Sequence, residues 1–251
     1  MDATLKAFFL AQRVAVSRVI EAQLPQAQKA AGDTPQPDID AIIAAIDFGV
    51  WDALATDFQP DLEETAREVV ATVFATLGLS TDNSDIFALS DTQALEYAQT
   101  RAAELVGKKW VNGALVDNPN AEWAITDTTR TELRELVARA FAEQWTPAEL
   151  AKQIDSAFVF SEGRAEMIAQ TETAMAQTAA TVQTGKNFGA TTKTVQMSNL
   201  HDIDDECDDA NEAGEVPIDQ PYPGGALHVP LHPNCRCVEM VHVPTKQPEA
   251  N

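Results

Sequence analysis

The side chains best suited to chemistry gather near the C-terminal end of this chain. Cys207, Cys235 and Cys237 are its only three cysteines, and His232 lies just ahead of the last two. Thiolate sulfur and neutral imidazole nitrogen are the usual ligands of zinc, and a closed structural site takes four of them in a tetrahedron. The inventory therefore matches one structural zinc held by Cys207, His232, Cys235 and Cys237. A loop-rich subdomain with two short strands has little core of its own, so a metal cross-link there would serve folding. Two other readings stand beside it: reduced thiols packed as small hydrophobes, and a disulfide from Cys207 to one partner. On an extended strand Cys235 and Cys237 are expected to point to opposite faces, so that both could bind one ion only if the chain turned there.

Other candidate chemistry is thinner. The acidic run Asp202 to Asp208 has the composition of a calcium loop, but the sixth position, which requires Gly, is Cys207, and the twelfth is Ala213 instead of Glu. His201, His228 and His242 could each act as a base, yet no nucleophile motif such as Gly-x-Ser-x-Gly accompanies them. The chain has no phosphate-binding Gly-x-x-x-x-Gly-Lys loop, no His-Glu-x-x-His helix and no Gly-x-Gly-x-x-Gly turn, which counts against a packaging motor, a common metalloprotease and a dinucleotide enzyme. Glu166 and Glu172, six residues apart on one helix, do not share a face closely and are expected to be salt-bridged or exposed. An enzyme would thus have to be a metal-dependent nuclease or toxin-like protein using the His228 to Cys237 region, with one coordination position open to water.

Charge narrows the partners. The net charge is −22, and both ends of the chain are strongly acidic while residues 101–200 are nearly neutral, which disfavours broad DNA binding. Only the middle segment, with Lys108, Lys109, Arg130, Arg134 and Arg139, could touch DNA. Glu132 and Glu135 dilute that set, so a salt-bridged surface is the expectation. The apolar runs fall far short of the ~20 residues of a membrane span, and the N-terminus lacks the basic stretch of a signal peptide, so synthesis in the cytoplasm and no membrane are expected.

The elements that must position these residues read as mainly α, with a small α+β C-terminal subdomain. Of the residues, 45% are hydrophobic and only 6% aromatic, so the apolar content is mostly aliphatic and Ala, which favours helices. Helices are expected over 4–30, with Pro25 a kink or stop; over 39–58, on the stripe Ile42, Ile43, Ile46, Val50 and Leu54; from Pro60, as a first helical position, to Leu77; and from a Ser90 or Asp91 cap to Leu105. Residues 32–37 read as a linker. Trp110 to Trp123, with Asn112-Gly113, suggests a short hairpin, and helices resume from Asp127 and from the Thr146-Pro147-Ala148-Glu149 start through Phe160. A long helix from Gly163 to Gly185 then leads to strands at Thr191–Met197 and Cys235–Val243. An acidic loop, Asp202 to Glu215, and a Pro/Gly-rich stretch separate them. The expected division is a helical region over 1–160, a bundle or a set of partner-wrapping helices; a subdomain over 161–244; and a flexible tail over 245–251.

The order of motifs carries a resemblance. Arg164-Ala165-Glu166-Met167-Ile168-Ala169-Gln170-Thr171-Glu172, then Cys207 and Gly214, then His232-Pro233-Asn234-Cys235-Arg236-Cys237, resembles the phage Mu F-like head morphogenesis family over about residues 160–240. In that family's pattern Arg usually stands where this chain has Gln170, and a second Cys where it has Ala210. The missing Cys would leave His232, Asp208 or water to complete a metal site. The resemblance implies that Arg164, Ile168, Thr171, Glu172, Cys207, Gly214, His232, Pro233, Cys235, Arg236 and Cys237 matter. It also implies a minor capsid protein, not an enzyme, that enters the procapsid with the portal protein and acts with other head proteins in assembly or DNA delivery.

Overall fold

In the computed structural model, the described residues are 1–31, 39–46, 50–81, 85–143, 145–200 and 206–244. The linker at 32–37, His201, the first part of the acidic loop at 202–205 and the tail at 245–251 lie outside them. Eight α-helices, one 3-10 turn and five short strands are present among the described residues, the strands forming a two-stranded and a three-stranded antiparallel sheet. None of these helices is long and apolar enough to cross a membrane. The mainly α reading with a small β component therefore holds.

The chain forms two compact units, each built from two separate stretches: residues 1–59 with 100–166, and residues 60–99 with 167–251. In the first unit, α1 (Asp2–Ala31) runs through Pro25 without stopping and buries Leu5, Phe9, Gln12 and Val16, a three-and-four stripe. Next, α2 (Ile39–Ala44) is shorter than the expected 39–58 helix: the Ile46 N–H turns to the Ile43 carbonyl, the tightening that closes a last turn. A new helix, α3 (Val50–Thr76), begins after it. Trp51 packs edge-on to Phe8 at 4.7 Å between ring centroids.

Pro60 does not start a helix; it lies inside α3. A helical proline removes the hydrogen bond to the carbonyl four residues back, at a cost of about 3 kcal/mol. Here that carbonyl belongs to Thr56, which is exposed, as Pro60 is, so water can serve the orphaned group. On the opposite face Leu54, Phe58, Leu62, Ala66, Val70 and Phe74 form one unbroken buried stripe that holds the helix together.

The other elements of the first unit follow the sequence closely. After α4 (Asp85–Leu105), strands β1 (Lys108–Val111) and β2 (Ala114–Asp117) form the expected hairpin. Its turn residues Asn112 and Gly113 have φ of 51° and 78°, the left-handed pair that a two-residue hairpin of this twist requires. Then come α5 (Ile125–Ala142) and α6 (Pro147–Asp155), the latter opened by a complete Thr146–Glu149 capping box. The expected run to Phe160 is broken: Ser156 turns its hydroxyl onto the carbonyls of Lys152 and Gln153, and a 3-10 turn, Phe158–Phe160, follows.

The second unit holds the later part of α3, most of α4, α7 (Glu162–Asn187) from Met167 onward, and the small sheet. Gly78 closes α3 at φ 68°, where the Leu79 N–H reaches the Phe74 carbonyl and the Gly78 N–H reaches that of Ala75. Helix α4 starts at Asp85, upstream of the expected caps. Ile86 and Phe87 explain the extra turn, because they pack on the core of Ala66, Val70, Phe74, Ala94 and Ala180. Ser90 is buried and accepts a hydrogen bond from Asn187, and Asp91 pairs with Arg67, so neither is available as a cap.

In the sheet, β3 (Thr192–Gln196) is central, with β4 (Val216–Pro217) on one side and β5 (Val238–His242) on the other. The expected strand from Cys235 begins three residues later. The acidic loop is in part a helix, α8 (Glu206–Glu212), whose first turn carries Glu206, Asp208 and Asp209, the charge that the positive end of a helix favours.

Candidate functional site

The family-motif residues fall in both units, and each is best seen from the bonds its side chain makes. Arg164 lies in the first unit, in the first turn of α7, whose start is capped by the Ser161 hydroxyl accepting from the Arg164 N–H. Its guanidinium is buried and donates to Thr129 Oγ1 at 2.9 Å, to the Val159 carbonyl at 2.8 Å and to the Ile125 carbonyl at 3.0 Å. Its far side lies over the Phe9 ring, 5.2 Å from the centroid. Burial lowers its pKa to about 10, so it stays charged at neutral pH while bonding only neutral acceptors. This is an organising role: one rigid fork joins α1, α5, the 3-10 turn and α7.

The remaining motif residues lie in the second unit. Ile168, Thr171 and Glu172 are buried on α7. Of the salt-bridged or exposed roles expected for the two carboxylates, Glu172 is not exposed, and Glu166 forms an ion pair with Lys6 at 2.9 Å. Thr171 Oγ1 donates to the Met167 carbonyl and accepts from the Asn234 backbone N–H, both at 2.8 Å. That second bond ties the helix motif to the His-Pro-Asn-Cys-Arg-Cys motif, 63 residues away. Asn234 has φ of 62°, a conformation that Asn tolerates better than most residues, and Gly214, at φ 67°, ends α8.

The Cys/His set converges. Cys207 Sγ is 3.5 Å from Cys235 Sγ and 3.5 Å from His232 Nε2, and the three donor atoms all lie within 4.8 Å of one another. Cys237 also hydrogen-bonds with Cys207 and joins the same buried cluster, with Val195, Ala210, Tyr222 and Val229. All three cysteines are thiols, and the Cys207–Cys235 separation is well beyond the ~2.05 Å of a disulfide. Burial pushes the thiols of Cys207 and Cys237 up, and mutual hydrogen bonding adds to the effect at Cys207.

The expectation that Cys235 and Cys237 face opposite ways is overturned. Both are buried, while Arg236 between them and Val238 after them are exposed. Residues i and i+2 of an extended chain share a face; it is i and i+1 that oppose, so no turn is needed. Pro233 and Arg236 point outward, on the exposed side of the motif.

Reading the sequence missed a second buried polar group beside this cluster. Glu239 follows Cys235 and Cys237 on the same inward alternation and accepts from the Val229 N–H at 3.1 Å and pairs with His228 Nδ1 at 2.8 Å. Lys193, buried on β3, donates to the Leu227 carbonyl and lies 4.8 Å from the centre of the Tyr222 ring. The β3–β5 register pairs Val195 with Glu239 and Lys193 with Val241, so Lys193 and Glu239 are diagonal neighbours on one face. Burial lowers the Lys193 pKa and Glu239 opposes that shift. The available signal was a charged residue at an inward position of each alternating strand. His242, the other described histidine offered as a base, bonds Thr194 Oγ1 at 3.0 Å.

Local partners engage Lys108, Arg130 and Arg139 of the basic middle segment. Lys108 pairs with Asp117 at 2.8 Å, Arg130 with Asp127 at 3.7 Å, and Arg139 lies over the Trp145 ring.

Among comparisons with known proteins, residues 131–240 match the family model described as Phage Mu protein F like protein. The match extends upstream of the motifs into α5 and α6. No curated protein and no solved structure matches the chain.

Proposed function

We propose, from the match of residues 131–240 to the phage Mu F-like family model, that this chain is a minor head protein of a tailed bacteriophage, which enters the procapsid with the portal protein and acts in head morphogenesis or DNA delivery. Its place is the virion head, and its work is assembly, not catalysis. The observation that carries this reading is the Thr171–Asn234 hydrogen bond. It joins the two halves of the family motif, 63 residues apart, through one buried hydroxyl. The outward-facing residues of the second half, Pro233 and Arg236, are then left for partners. The acidic surface, with net charge −22, favours protein partners over sustained contact with packaged DNA.

The test is co-purification of the full chain with the portal and major capsid proteins of its phage, comparing wild type with Arg236→Glu. Wild type is expected in portal-containing particles, and the exposed charge reversal is expected to reduce incorporation without changing the fold seen by circular dichroism. Absence of wild type from such particles overturns the reading. The competing reading, a metal-dependent nuclease or toxin-like enzyme, draws on the same Cys207, His232 and Cys235 donors. Metal-dependent cleavage of nucleic acid by wild type, lost on His232→Gln, would favour it instead.

A further inference from the structure

The geometry points to a structural zinc site formed by Cys207, His232, Cys235 and Cys237. Zinc–sulfur bonds of about 2.3 Å and zinc–nitrogen bonds of about 2.0–2.1 Å in a tetrahedron place ligand atoms about 3.8 Å apart for two sulfurs and about 3.6 Å apart for sulfur and nitrogen. The Cys207–Cys235 and Cys207–His232 separations, both 3.5 Å, fall close to those edges. Ordinary apolar packing of three side chains has no reason to bring three donor atoms so near a common centre.

The second observation is the histidine's other nitrogen. His232 Nδ1 lies 2.9 Å from the Pro233 carbonyl oxygen, and a carbonyl can only accept, so the proton sits on Nδ1. Nε2 is therefore left with its lone pair, and it is Nε2 that faces Cys207. A backbone carbonyl that fixes the tautomer and turns the free nitrogen inward is the usual support of a metal-binding histidine.

Cys237 supplies the fourth sulfur. It shares an inward face with Cys235 and bonds with Cys207, which fits it for the fourth position beside the three converged donors. On binding, each thiol gives its proton to solvent and His232 stays neutral, leaving three thiolates and an imidazole around a divalent ion. The ion would join α8, the His232–Cys237 loop and the chain leading into β5. It would add to the buried core that these pieces share with Val195, Tyr222 and Val229, the three-stranded sheet and the Thr171–Asn234 bond. The absence of a fourth cysteine at Ala210 is met by the histidine, so the donor set is complete without it.

The test uses the full chain, expressed in zinc-supplemented medium and analysed by native mass spectrometry and elemental analysis. One zinc per chain is expected, lost from Cys235→Ser and His232→Gln. A strong chelator is expected to lower Tm and to make the cysteines reactive toward a thiol reagent. Cobalt exchanged into the wild type is expected to give the visible bands of four-coordinate tetrahedral metal and thiolate charge-transfer absorption, the latter weakened in Cys237→Ser. A folded, metal-free wild type whose Tm and thiol reactivity ignore the chelator overturns the site and leaves the cysteines as packed thiols. An unchanged cobalt spectrum in Cys237→Ser overturns the closed four-ligand form. These readouts need no phage partner, so they stand or fall apart from the head-protein reading.

Discussion

Thr171 spends one hydroxyl twice, donating to its own helix and accepting from Asn234 in the distant loop. Thr171→Val keeps the shape but leaves the Asn234 N–H without its acceptor, which costs about 1–3 kcal/mol. Thr171→Ser keeps the hydroxyl and is expected to restore most of the loss. Urea denaturation checks both: the midpoint should fall for Val and recover for Ser with little change in slope. The contrast separates the hydrogen bond from the volume of the side chain, because Ser is the smaller residue and yet the expected rescue. At this scale the sequence displayed Arg164, Thr171 and the Cys/His set as a motif, but not what each does. The role of Arg164 depends on Thr129, Ile125 and Val159, which carry no motif at all.

Element ends were readable where a local device sets them. The Thr146 capping box, the Asn112-Gly113 turn and Gly78 closing α3 each act through neighbours a few residues away. Ends were misread where a distant surface competes with the local signal, as at Pro60, where a continuous buried stripe outweighs one lost hydrogen bond, and at Asp85, where Phe87 meets Phe74 at 5.1 Å between ring centroids. Gly185 shows the converse at the packing of α7 on β5. A Cβ there would meet Val241 Cγ2 at 2.5 Å, so the helix carries Gly for closeness of approach, despite its poor helix propensity. Gly185→Ala is expected to destabilise by about 1–3 kcal/mol, and Val241→Ala in the same chain should recover part of that loss. A double-mutant cycle on unfolding free energies reads the coupling; simple additivity would mean that the two groups do not meet.

The two compact units are interleaved along the chain, and this has a consequence for dissection. The core of Ala66, Val70, Phe74 and Ala94 is completed by Ala180, with Phe188 packed against it, its ring tilted 56° to that of Phe74 with centroids 5.3 Å apart. A chain ending after Phe160 therefore keeps the α3–α4 half of the second unit while deleting what covers it. Such a chain is expected to bind a hydrophobic dye and to lose a single cooperative unfolding transition, whereas the full chain melts cooperatively. Cooperative unfolding of the shortened chain without dye binding would show that residues 60–99 are self-sufficient.

By itself the sequence determined the helical character, the hairpin, the capped start of α6, and the family motif with its candidate ligands. These rest on local propensity, on periodicity, or on residue types whose order along the chain is itself the signal. Only the tertiary structure decided that the units are each assembled from two stretches, that α3 passes through Pro60, and that Lys193 and Glu239 are buried beside the cysteines. The reason is common to all three. Each depends on surfaces brought together from residues tens of positions apart, where burial of a shared face outweighs the local preference of any single residue.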